Sequence, residues 1–167
     1  MIWGLSTSTF TLVHVLLSLA GIFAGLVVMF GLVAGKRFGG WTVLFLVTTV
    51  ATSVTGFGFP FDHLLPSHAI GILSLLVLAV AIAARYSFHL AGAWRRTYVI
   101  TAAIALYLNI FVLVVQLFLK MPALKAIAPT QKEPPFVIAQ IAVLVLFGVL
   151  AALATIRFGA LPKRAVA

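Results

Sequence analysis

The sequence contains no cysteine. Its absence excludes disulfides, thiolate metal sites, iron–sulfur clusters and haem attached through a C-x-x-C-H motif. Acidic residues are almost as scarce, with Asp62 and Glu133 the only two in 167 residues. Apolar runs without Asp, Glu, Lys or Arg lack the groups that couple protons or ions inside a membrane. Charge of either sign is thin, at 8% of residues against about 25% in an ordinary soluble domain. So few charges cannot cover a water-facing surface, and 64% of the chain is hydrophobic. Lipid is the expected solvent. The net charge of +9 sits in short clusters between apolar runs. That placement reads as topology signals and headgroup contacts, not as a nucleic-acid face.

A helix needs about 20 apolar residues to cross the hydrocarbon core. Five stretches qualify, near 10–34, 41–57, 68–86, 97–119 and 135–156. The fold class follows: an all-α polytopic membrane bundle of five transmembrane helices in a single domain, residues 1–167. The first run has no Lys or Arg ahead of it, is longer than a signal h-region, and no A-x-A site follows. It therefore reads as a membrane helix and not as a secretory signal. Gly35, Gly39 and Gly40 divide the first two helices, Ser67 is a candidate N-cap for the third, and Pro134-Pro135 opens the fifth. Pro122 and Pro129 bracket Ala123–Ala128, a candidate interfacial helix.

Lysine and arginine set the orientation. One set of loops holds Lys36, Arg37, Arg85, Arg95, Arg96, Arg157, Lys163 and Arg164; the other holds Lys120, Lys125 and Lys132. The first set is expected in the cytoplasm, which puts the N-terminus outside and the C-terminus cytoplasmic. Trp41, Tyr86, Trp94 and Tyr98 would form an inner aromatic belt, with Trp3 at the outer face.

Polar side chains then converge toward the outer end. His14, Ser18, Gly21 and Gly25 share one face of the first helix. Gly21 and Gly25 make a G-x-x-x-G seam, so this face should turn inward. Thr48, Thr52 and Thr55 share a face of the second helix, and Ala102, Ala105, Asn109 and Gln116 share a stripe on the fourth. Asn109 falls near the midplane, where an amide facing lipid is costly. Gln140 lies roughly 8 Å inside the fifth helix. The expected ligand-binding set is His14, Ser18, His68, Asn109, Gln116 and Gln140, in a pocket opening outward. The loop from Gly56 to Pro66 would cover it, with Phe57, Phe59 and Phe61 embedded in the interface.

Each candidate has a plain alternative. His14 and His68 could bind a b-type haem axially, or His14 could simply hydrogen-bond between helices. Asp62, His63, His68 and Glu133 carry donor types for a divalent metal, or form wet loops with a carboxylate–lysine pair. Asn109, Gln116, Gln140 and the threonines could hold a quinone, a headgroup or a small solute. Otherwise they bond across helices at about 0.6 kcal/mol per contact. No nucleophile–base pair is visible, so enzyme chemistry is not expected without haem or metal.

The stretch Leu106-Tyr107-Leu108-Asn109-Ile110-Phe111-Val112-Leu113-Val114-Val115-Gln116, continuing to Ala128-Pro129-Thr130-Gln131-Lys132-Glu133-Pro134-Pro135-Phe136, resembles a pattern found in uncharacterised bacterial inner-membrane proteins. The resemblance implies a bacterial source and residence in the cell inner membrane, and transfers no catalytic residue. Five helices also match the translocator-protein family in size, but that family's tryptophan-rich pattern is absent.

Three functions are therefore expected in order. The first is binding of a small ligand or cofactor (haem, quinone or a lipid-like molecule). The second is transport or conduction. The third is an accessory role in a homo-oligomer or larger membrane complex, for which Gly31 and Gly35 offer a second small-residue seam. Membrane lipids are the expected partners, and nucleic acid is not.

Overall fold

The computed structural model describes residues 1–59 and 66–158, without the side chains of Pro66 and Ser67. The elements in order are α1 (Thr7–Val33), α2 (Gly39–Gly56), α3 (Pro66–Ile82), α4 (Trp94–Lys120), α5 (Pro122–Ile127) and α6 (Pro134–Arg157). A π-helical turn, Ala83–Ser87, continues α3. Among the described residues there is no strand, only an isolated bridge between Ile2 and Leu5. Five helices are long and apolar enough to cross a membrane, the third including the π turn. Exposed leucine, isoleucine, valine and phenylalanine side chains occur on all five. In water this would be an aggregating surface; in hydrocarbon it is the required one.

The helix boundaries fall within a few residues of expectation, and the differences have local causes. α1 begins three residues early because Ser6, in extended conformation, accepts a hydrogen bond from the Thr9 amide at 3.1 Å. α3 opens on Pro66, so Ser67 lies inside the first turn and is not the N-cap. Gly35 ends α1 with φ +69°, the left-handed value glycine tolerates.

α2 carries the most hydroxyls and solves their burial internally. Thr42, Thr48, Ser53 and Thr55 each donate to the carbonyl four residues back, at 2.6 to 3.0 Å. Their protons are thereby used, while the oxygens remain available to accept. α1 packs against α2, α4 and α6, while α3 lies against α2 and α4. The G-x-x-x-G seam is the close approach. A methyl placed on Gly25 would stand 2.6 Å from Leu106 Cδ1 and 2.8 Å from the Phe45 ring. Gly31 faces Phe38 of its own chain at 2.7 Å by the same measure. Gly31 is thus covered by Phe38 from within the chain.

The fully buried residues of α6 form one narrow line, Gln140, Phe147 and Ala154, spaced by seven residues, with Val143, Leu150 and Ala151 packed beside it. The packed core is lopsided. Apart from Phe10, the buried residues of α1 run from Gly21 to Leu32; apart from Phe118, those of α4 run from Arg95 to Leu108. One half of the bundle is dense. The half at the start of α1 is looser, and it contains the cavity.

At that looser end, Glu133 holds the turn into α6. Its carboxylate accepts from the Thr130 amide and hydroxyl at 3.1 and 2.8 Å and from the Lys132 amide at 3.0 Å. Desolvation pushes this carboxyl up, but the hydrogen bonds from Thr130 and Lys132 outweigh it and hold it below the ordinary value. The turn's stabilisation is therefore complete above the ordinary carboxylate range and is lost as pH falls through the lowered folded value. Hydrogen exchange at the Thr130 and Lys132 amides, corrected for intrinsic rates, should accelerate only in that acidic window. Glu133→Gln should show the faster exchange already at neutral pH.

Candidate functional site

A cavity of about 100 Å³ lies among α1, α2, α3 and α4. His14 and Ser18 reach it from α1, Thr52 and Ser53 from α2, His68 and Ser74 from α3, and Asn109 from α4. Apolar walls come from Phe57, Ile70, Leu108 and Val112. No charged side chain lines it among the described residues.

His14 is oriented by its neighbour. Its Nδ1 lies 2.8 Å from Thr55 Oγ1. The single Thr55 proton is directed to the Ala51 carbonyl at 2.7 Å. The His14 Nδ1–H must then donate to Thr55, which leaves Nε2 of the neutral ring with a lone pair. Phe59 packs edge-on against His14 at 5.2 Å and against Phe10 at 5.1 Å. His68, 4% exposed, lies in the first turn of α3 and stacks on Phe57 at 5.6 Å. Two of the three phenylalanines expected in the cover, Phe59 and Phe57, thus meet the two cavity histidines. Phe61 and the rest of residues 60–65 lie outside the described residues.

The deep wall is polar and incompletely satisfied. Asn109 Nδ2, Thr52 Oγ1 and Thr49 Oγ1 are buried without a hydrogen-bond partner among the described residues. A methyl on Gly21 would sit 3.1 Å from both the Thr48 and Thr49 hydroxyl oxygens and 3.4 Å from Asn109 Nδ2. Gly21 therefore lets the α1 backbone approach this polar cluster. Each unsatisfied buried group costs about 1–3 kcal/mol. Of the three, Asn109 and Thr52 line the cavity. On the far side, Ser53 Oγ and Ser74 Oγ pair at 3.1 Å, joining α2 to α3.

Of the expected ligand set, the fold brings together His14, Ser18, His68 and Asn109. Gln116 is exposed. Its stripe on α4 does face inward at Ala102 and Ala105, but most of the buried residues of α4 end at Leu108 and Gln116 lies beyond them. Gln140 is buried in the α4–α6 seam, where its Nε2 donates to the Phe111 carbonyl at 3.3 Å. It does not line the cavity. Sequence reasoning missed Ser53, Ser74 and the role of Thr49. It also missed Gln131, which donates to the Val115 carbonyl at 2.8 Å and ties the α5–α6 connection to α4.

The metal set is not assembled within the described residues. Asp62 and His63 lie outside them, and Glu133 is engaged with Thr130 and Lys132. Among the described residues no three His, Asp or Glu side chains come together. A volume of about 100 Å³ is smaller than the roughly 150 Å³ cavity that holds a benzene. A tetrapyrrole between His14 and His68 is far larger than either.

Two placements at the opposite end differ from the sequence expectation. Tyr98 is fully buried and so does not belong to the aromatic belt, whereas Trp41 and Tyr86 are exposed. Arg95 is 6% exposed and packs into the bundle instead of standing in the loop as an orientation charge. Both follow from α4 starting at Trp94, three residues before its apolar run.

Compared with protein-family models, with curated proteins and with solved structures, the chain matches none.

Proposed function

We propose that this membrane protein binds a small uncharged ligand, or the uncharged head of a lipid-like molecule, in the cavity beside His14 and Asn109. The observation that carries the reading is the buried, unpartnered amide nitrogen of Asn109 and hydroxyl of Thr52 on the wall of one cavity. Both can donate, and so they suit a carbonyl oxygen. The lone pair of His14 Nε2 complements them and suits a hydroxyl. Small amides and alcohols carry these groups at a size that a cavity of about 100 Å³ admits. Absence of charge in the lining favours a neutral ligand, since burying an unpaired ion would cost far more than the site returns.

The same reading places the chain in a bacterial cytoplasmic membrane with its N-terminus outside. Support comes from the lysine and arginine distribution, which puts the cavity toward the outer face.

The test is thermal unfolding of the detergent-solubilised protein with formamide, acetamide and ethanol as probes. A ligand at 100 times its dissociation constant stabilises by about 2.7 kcal/mol, so at least one probe should raise the melting temperature. His14→Phe and Thr52→Val should each weaken that probe about tenfold, the equivalent of one lost hydrogen bond of about 1.4 kcal/mol. Absence of any shift, or shifts in both variants equal to that of the wild type, would overturn the reading.

A further inference from the structure

The cavity has a direction, set by how α2 spends its hydroxyl protons. Thr42, Thr48, Ser53 and Thr55 give theirs to the carbonyl four residues back. Thr49 and Thr52 do not, and both hydroxyls are buried without a partner among the described residues. Each keeps a proton to offer, as Asn109 Nδ2 does. Toward the start of α1 the sense reverses. Thr55 receives the Nδ1 proton of His14, and Nε2 is left as an acceptor.

Contacts between α1 and α2 fix how far apart these two ends stand. His14 Nδ1 lies 2.8 Å from Thr55 Oγ1, and His14 Cε1 lies 3.8 Å from where a β-carbon on Gly56 would sit. Seven residues along α1, the β-carbon position of Gly21 is 3.1 Å from Thr48 Oγ1, 3.1 Å from Thr49 Oγ1 and 3.4 Å from Asn109 Nδ2. The same interval of seven separates Thr55 from Thr48 on α2. Both helices thus give a separation of roughly 10 Å, at about 1.5 Å per residue. Thr52 falls between the two levels, and it lines the same cavity as His14 and Asn109. A hydrogen bond of about 2.9 Å at each end leaves about 5 Å between the polar atoms of a ligand that reaches both. An extended chain advances about 1.2 Å per bond, so about 5 Å is about four bonds. A cavity of about 100 Å³ drawn out over this length is narrow, which suits an unbranched chain.

We infer that the cavity holds its ligand by both ends, and that the ligand is a neutral, unbranched three-carbon chain with an oxygen at each end. One oxygen accepts from Asn109 and Thr52. The hydroxyl at the other end donates to His14 Nε2. Linear three-carbon diols and their hydroxy-carbonyl relatives form the class. Thr55 is a positioning residue, acting on the ligand only through the His14 ring. The inference rests on the proposed ligand binding and adds the ligand's polarity and spacing to it.

The experiment uses the full chain in detergent and reads dissociation constants from thermal-shift titrations. The probes are propane-1,3-diol, its isomer propane-1,2-diol, and propan-1-ol, with ethanol and acetamide as reference probes. The two diols have the same composition, so their general solvent effects on stability cancel in the comparison. Propane-1,3-diol should bind about tenfold tighter than either three-carbon competitor, the scale of one added hydrogen bond. In His14→Phe its advantage over propan-1-ol should vanish. Thr55→Val is a second variant that keeps His14. With no hydroxyl to receive the Nδ1 proton, the ring is free to carry its proton on Nε2, and the advantage should fall; Thr55→Ser should restore it. Equal affinities for the three probes, or an advantage that persists in both His14→Phe and Thr55→Val, would overturn recognition at two ends. If ethanol or acetamide still shifts the protein in that case, ligand binding itself stands; if no neutral probe shifts it, both fall.

Discussion

Gly25→Val should destabilise the protein by about 3 kcal/mol, at the upper end of the cost of forcing extra carbons into a packed core. A single added β-carbon would already stand 2.6 Å from Leu106 Cδ1 and 2.8 Å from the Phe45 ring. Leu106 and Phe45 are themselves buried, at 0% and 1% exposure, so neither has free space to retreat into. Valine adds two further methyl groups at the same point. Relief requires α1 to move away from α2 and α4, which loosens the dense half of the bundle along its length. The measurement is thermal or denaturant unfolding in detergent. Gly148→Ala is the control, because an added β-carbon there meets nothing within 4 Å. It should be neutral, or stabilising by up to about 1 kcal/mol through helix propensity. Equal unfolding of Gly25→Val and wild type would mean that the seam does not hold the helices together.

The seam was readable from sequence because its signal is local. Two glycines four residues apart, on the face that also carries His14 and Ser18, require only helical geometry. The same holds for the five long helices, whose existence depends on run length and apolarity alone. The threonines of α2 were readable for a related reason: hydrocarbon makes an inward face for hydroxyls nearly obligatory. What failed depended on facts about neighbours. Gln116 lies on the correct stripe of α4, yet α4 outruns the core and the residue is exposed. Gln140 was correctly read as turned inward, but inward for α6 means the α4 seam. Tyr98 and Arg95 were read as boundary residues because an arginine pair beside aromatics normally marks a membrane edge. The π turn after α3 carries no sequence signature, and without it the approach of Arg85 to Tyr98 cannot be foreseen.

Asn109→Leu is the sharpest test of the cavity, because the competing explanations of that residue differ in sign. Were Asn109 a helix-packing residue, its amide would bond to a neighbouring helix, and leucine would lose that bond. Its Nδ2 instead is buried without a partner among the described residues, and Asn109 borders the cavity with Thr52. A group held in this way lowers the stability of the protein by about 1–3 kcal/mol, and a leucine of similar length removes the liability. The expected result is a higher melting temperature for the probe-free variant. Binding of whichever neutral probe stabilises the wild type should fall at least about tenfold, since a carbonyl brought to that wall would lose its donor. Gain of stability with loss of binding is the pattern of a residue kept for its ligand and not for its fold. A lower melting temperature, with probe affinity unchanged, would assign Asn109 to helix packing and remove the main support for the site.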